Sequence, residues 1–110
     1  MGCHTSDSVD YPEYANLVCN VVLNGEAERG ILICGTGIGM SMAANRHSGI
    51  RASLCSDIFT ARMSREHNNA NVLCIGARVI GSGLAAELVK EWIKTEFAGS
   101  RHLRRIEMFG

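Results

Sequence analysis

Residues 30–40 read GILICGTGIGM: an apolar run, Ile31 to Cys34, breaks abruptly into Gly35-Thr36-Gly37-Ile38-Gly39. A short continuous apolar run bounded by glycines predicts a strand buried on both faces of a parallel sheet. Met40 to Arg46 then predicts a short helix ending near Gly49. The same order recurs downstream. Ile50–Cys55 predicts a second strand, and Ser56 or Asp57 caps a helix running to about Glu66 or His67. Asn71–Ile75 predicts a third strand, followed by Gly76 and a Gly81-Ser82-Gly83 turn. The last helix carries Leu84, Leu88, Val89, Trp92, Ile93 and Phe97 on its apolar side and Glu87, Lys90, Glu91 and Lys94 on a solvated one.

Upstream, Asp10 is a good N-cap with Pro12 in the following first turn, where its missing N–H costs nothing. Tyr14, Leu17, Val18, Val21 and Val22 recur at helical spacing until Asn24-Gly25 stops the helix. Strands alternating with helices predict an α/β fold, a Rossmann-like three-layer sandwich with a parallel sheet of about three strands, thin for that architecture.

The chain of 110 residues suits a single domain spanning 1–110, with no internal repeat or linker. Hydrophobic residues at 46% and a single proline argue against disorder. Eleven Lys and Arg balance eleven Asp and Glu, so no global field draws the protein to nucleic acid or anionic lipid. No apolar run approaches the ~18 residues of a membrane span. Met1 to Asp10 is polar and shows no signal-peptide pattern. Five cysteines, none in a CxxC pair, suit reduced thiols in a soluble, cytoplasmic protein.

A strand that runs through glycines into a helix N-terminus offers free amide N–H groups to an anion. The dinucleotide fingerprint fits at Gly35 and Gly37 but fails at Met40, although Asp57 stands where a ribose-binding acid would belong. A phosphate-binding loop of the nucleotide type fails too, because no Lys-Ser/Thr pair follows the last glycine. Cys34, Cys55 and Cys74 each end an apolar strand. Cys55 and Cys74 read as small buried hydrophobes, and the close-spaced ligand pairs typical of zinc are absent. Cys34 directly precedes the glycine loop, where a helix N-terminus favours thiolate. His67 reads on sequence alone as a helix C-terminal residue favoured by the dipole. His4 and His47 read as surface loop residues. The tail Arg101-His102-Leu103-Arg104-Arg105 is either a solvated face or a phosphate-recognition cluster.

Several longer stretches resemble type-B ribose-5-phosphate isomerases, within a wider group that includes galactose-6-phosphate and allose-6-phosphate isomerases. They are Asp10-Tyr11-Pro12, residues 30–45 (GILICGTGIGMSMAAN), 49–51 (GIR), 60–81 (TARMSREHNNANVLCIGARVIG) and 96–107 (EFAGSRHLRRIE). The resemblance implies an aldose–ketose isomerase without metal or cofactor that interconverts ribose 5-phosphate and ribulose 5-phosphate through an enediolate. Cys34 matches the base, and the amides of Gly35, Thr36, Gly37, Ile38 and Gly39 match an anion hole. His67 matches the ring-opening residue, assisted by Thr36. Asn68 and Tyr11 match substrate-binding positions, and Arg78, Arg101 and Arg105 match phosphate-binding arginines. The tail, residues 100–110, is expected to reach a partner subunit, so the implied assembly is a homodimer or a dimer of dimers.

The resemblance further implies a strand, helix and strand before the position of Gly2, including an Asp-His loop. The chain instead opens at the loop before Asp10-Tyr11-Pro12, which leaves the Ile31–Cys34 strand with one open edge. That shortening keeps two alternatives beside the pentose-phosphate reading: a noncatalytic phosphosugar-binding remnant or partner of a full-length subunit, and a hexose-6-phosphate isomerase.

Overall fold

The structure is a computed structural model, and it describes residues 11–97. The elements follow in the order α1 (Tyr11–Leu23), β1 (Gly30–Cys34), α2 (Ile38–Ala44), β2 (Ala52–Leu54), α3 (Ile58–Glu66), β3 (Val72–Gly76) and α4 (Ser82–Lys94). The three strands are parallel in the order β1-β3-β2. The most apolar strand, β3, takes the centre and is buried at all five positions. The expected three-layer α/β architecture is the one observed.

Alternation along the strands divides the core in two. Leu32, Val72 and Cys74 face α1 and α2, where they meet Ala15, Val18, Cys19, Met40 and Ala44. Leu73 and Ile75 face α3 and α4, where Ala61, Leu88 and Trp92 close the second layer. Each large side chain so buried is worth ~1.5–3 kcal/mol. In that second layer the Trp92 ring lies 5.7 Å from the Arg29 guanidinium carbon, and its indole Nε1 is buried with no partner among the described residues.

Several boundaries move. The helix expected over Met40–Arg46 starts earlier, at Ile38, because Gly37 supplies a positive φ of 80° that turns the chain into it. The second strand shrinks from Ile50–Cys55 to Ala52–Leu54. A side chain accounts for its start, since Arg51 N–H donates to Asn71 Oδ1, while Asn45 brackets the outward-facing groups of Ala52. Asn45 Nδ2 donates to Ala52 O at 2.9 Å and Oδ1 accepts from Ala52 N at 2.7 Å. Asp57, not Ser56, is the N-cap of α3, and its Oδ1 accepts from Thr60 N at 2.7 Å. That bond accounts for the acid at the end of β2 without a ribose.

The final helix stops at Lys94, so Phe97 lies beyond it, and Leu84 and Ile93, expected on the apolar side, are 39% and 55% exposed. Two arginines hold this end. Arg29 Nη1 donates to the carbonyls of Trp92 and Ile93, and Arg65 Nε donates to that of Thr95. They satisfy terminal carbonyls that the helix leaves without partners and complement its dipole. Among the described residues no helix is long and apolar enough to cross a membrane.

Candidate active site

The loops at the carboxyl ends of parallel strands are where α/β sheets carry ligands. Here β1 and β3 end level, with Cys34 opposite Gly76. The loops that follow are laced together: Ala77 N–H donates to Cys34 O at 2.7 Å and Arg78 N–H to Gly35 O at 2.9 Å. Gly76 makes this approach possible, since a Cβ there would lie 2.5 Å from Thr36 O and 2.7 Å from Thr36 C. Gly37 is equally constrained, because its φ is positive and a Cβ would lie 2.6 Å from Leu54 Cδ1.

The carbonyls of Cys34, Gly35 and Gly37 are thus occupied while several loop amides are not. Ile38 N–H donates to Thr36 Oγ1 and Ser41 N–H to Gly37 O. Among the described residues the amides of Gly35, Thr36, Gly37 and Gly39 have no hydrogen-bond partner. Arg78 lies over the loop: its Cδ, Nε and Cζ would each stand within 3.8 Å of a Cβ on Gly35. Cys34 is half-buried at the head of this arrangement, whereas Cys19, Cys55 and Cys74 are buried. Burial pushes the Cys19 thiol up to about 11 and the Cys74 thiol up to about 12, which keeps both neutral. Loop amides beside a thiol and a guanidinium can stabilise a developing oxyanion and hold a phosphate. Among the described residues no three His, Cys, Asp or Glu side chains converge as a metal would require.

His67 and Asn68 stand apart from this group within one copy. His67 is the C-cap of α3, and Asn68 follows it on the way to β3. Both therefore precede the start of β3 at Val72, while Cys34 is level with its end at Gly76. At ~3.3 Å per residue the four steps between are ~13 Å along the sheet. His47, expected on a surface loop, is half-buried, with Nε2 2.7 Å from Asn16 Oδ1. Tyr11 opens α1, and Arg101, His102 and Arg105 lie outside the described residues. Sequence reading missed the structural parts of Gly76 and Asn45; a strand-ending glycine was the one visible signal for the first.

The sequence profile of the ribose/galactose isomerase family matches residues 1–109. The chain belongs to that family. Ribose-5-phosphate isomerase B of Escherichia coli is 48% identical over 106 residues, which cover 96% of this chain and 71% of that protein. D-erythrulose-4-phosphate isomerase of Pectobacterium atrosepticum, another relative, is 42% identical over 96% of this chain and 70% of its own length. Among solved structures, ribose-5-phosphate isomerase B of Clostridium thermocellum superposes with a TM-score of 0.96 at 51% identity. It covers 100% of this chain, which spans 74% of that one. The described residues thus have the family's fold, and the chain spans about 70–74% of the length of these relatives.

Proposed function

We propose that the chain is an aldose–ketose isomerase that interconverts ribose 5-phosphate and ribulose 5-phosphate, with Cys34 as the base. The observation carrying this reading is the glycine loop, with unpartnered amides at Gly35, Thr36, Gly37 and Gly39 between Cys34 and the Arg78 guanidinium. On this reading the Cys34 sulfur takes the proton from C2 of the open-chain aldose, leaving an enediolate. The loop amides hold its developing oxygen charge, and Arg78 holds the phosphate with Arg101 and Arg105. The thiol then returns the proton to C1 while the hydroxyl proton of O2 passes to O1, giving the ketose. His67 assists ring opening with Thr36, and Asn68 and Tyr11 hold sugar oxygens.

Because His67 and Asn68 sit at the opposite end of the sheet from Cys34, a complete site on this reading takes them from a second copy. A two-fold dimer then carries two sites, each built from both chains. Exposed apolar side chains near the loop support such a contact: Ile38 and Met42, one turn apart on α2, are 48% and 67% exposed, and Leu54 beside Gly37 is 41% exposed.

The test is conversion of ribose 5-phosphate to ribulose 5-phosphate by the purified chain, with Cys34→Ala and His67→Ala alongside. Each variant alone is expected to be inactive. Unfolded and refolded together, they should recover about a quarter of wild-type activity, since half the dimers are mixed and each mixed dimer has one intact site. No conversion by folded wild-type protein would leave a noncatalytic sugar-phosphate binder. Conversion of a four- or six-carbon sugar phosphate in place of ribose 5-phosphate would keep the reaction and change the substrate.

A further inference from the structure

At the end of the sheet remote from the glycine loop, the segment joining α2 to β2 and the turn joining α3 to β3 border a cavity of about 620 Å³. Its wall includes Arg46, His47, Ser48, Arg51, Ser53 and Asn68, and no Asp or Glu. That size lies within the ~300–1,000 Å³ of small-molecule sites, which use a few convergent polar groups for orientation.

Arg51 is held in place from several directions. Its N–H donates to Asn71 Oδ1 at 2.8 Å, its carbonyl accepts from Asn71 N at 3.0 Å, and its Nε donates to Asn69 O at 2.9 Å. These bonds leave both terminal guanidinium nitrogens without a partner among the described residues. Behind the wall, Arg65 Nη1 donates to Asn69 Oδ1 and to Ala70 O, so a second fixed guanidinium adds its charge from below. Asn69 holds the two together from a left-handed backbone conformation, φ 48°.

Glu96 attracts the Arg65 guanidinium and offsets part of its charge, but among the described residues no acidic side chain pairs with Arg46 or Arg51. The ion pairs among the described residues are both made by Glu91, with Arg62 and with Lys94, and Arg46, Arg51 and Arg65 enter neither. A concave wall with one sign of charge focuses its field into the cavity. Guanidinium forks match phosphate oxygens in geometry as well as in charge.

We propose that this cavity is a second anion site, separate from the glycine loop of the same copy and centred away from Asn68, which takes a small phosphate-bearing metabolite on Arg46 and Arg51 with the Ser48 hydroxyl. Binding here does not depend on the isomerase reading. It adjoins that reading at Asn68, so an occupant bears on the turn that carries His67.

The test is a titration of the isotope-labelled full chain with inorganic phosphate, followed by amide NMR shifts. Saturable shifts are expected across residues 46–53 and at Asn68, and they should persist in Arg78→Ala. Arg46 is exposed, so Arg46→Ala should keep the remaining spectrum and weaken the binding at residues 46–53 by about tenfold or more. Ser48→Ala, also at an exposed position, should weaken it further in combination. Shifts confined to residues 35–39, shifts at 46–53 that never saturate, or an affinity unchanged in the double variant would each overturn the proposal. Failure of the isomerase reading would show separately, as absent conversion with phosphate binding at residues 46–53 intact.

Discussion

Replacing Gly76 with Ala should damage the protein far more than replacing Gly30, although both new Cβ atoms meet their nearest neighbour at 2.5 Å. At Gly30 that neighbour is a single methyl, Val18 Cγ1, on a helix that can shift by a few tenths of an ångström. At Gly76 the neighbours are the O, C and Cα of Thr36, at 2.5, 2.7 and 2.9 Å, which are backbone atoms with no rotamer to escape into. Overpacking costs ~1–3 kcal/mol, and Ala in a strand recovers ~0.5–1 kcal/mol of unfolded-state entropy relative to Gly. The Gly30 variant should therefore lose ~1 kcal/mol or less, and the Gly76 variant ~3 kcal/mol. For a domain of this size, at roughly 4 °C per kcal/mol, the melting temperature should fall by ~4 °C in the first and ~12 °C in the second. Thermal unfolding followed by far-ultraviolet circular dichroism reads both values. Equal losses in the two variants, or a Gly76→Ala protein that melts with wild type, would refute the claim that the glycine loop is held by backbone contact with β3. The Gly76 variant should also lose sugar-phosphate conversion while the Gly30 variant retains it, because only the former displaces Thr36.

Asp57→Ala removes the carboxylate that accepts from Thr60 N at the start of α3. It should cost about 1 kcal/mol in a urea titration. Glu91 is hydrogen-bonded by Arg62, which holds its carboxyl below the ordinary value of 4.5. Its contribution is therefore present above that value and lost as pH falls through the lowered one. The stability gap between wild type and Glu91→Gln should accordingly close on acidification below about pH 4.5. A gap that widens there would contradict the pairing. In a Cys3→Ser background at pH 8, iodoacetamide should modify Cys34 in the native protein and leave Cys19, Cys55 and Cys74 untouched until denaturant is added. Mass spectrometry of the digested protein counts the sites, and native labelling of Cys74 at the rate of Cys34 would show that its burial is wrong.

The apolar runs around Ile31–Cys34 and Asn71–Ile75 revealed two strands and the parallel architecture because β3 is buried on both faces and β1 is buried on one and half-buried on the other. Burial of that kind leaves a signal in composition alone. The second strand was longer in sequence than in structure because a side chain ends its ladder: Asn71 Oδ1 takes the Arg51 N–H that a longer ladder would have used. Propensity and periodicity carry no trace of such bonds. The site divides in the same way. Cys34 and the glycines announced themselves by position at a strand end, and Asp57 by its capping chemistry. The separation of His67 from Cys34 depends on the direction in which α3 returns across the sheet, which no local motif contains. Arg51, Asn69 and Arg65 were invisible as a group, because the residues that join them are spaced along two segments and meet only through a left-handed asparagine.

The clamp of Asn45 on Ala52 makes the two sides of the sheet unequal. On the outer side of β2, the Asn45 amide offers one donor and one acceptor where a fourth strand would offer its own, so the position is already taken. On β1 the Gly30 amide and the Cys34 carbonyl point toward β3, and by alternation the peptide groups of Ile31 and Ile33 point the other way. No described residue pairs with them. The sheet is thus a one-way template: another strand can lengthen it beside β1, whereas contacts on the β2 side have to be made by side chains.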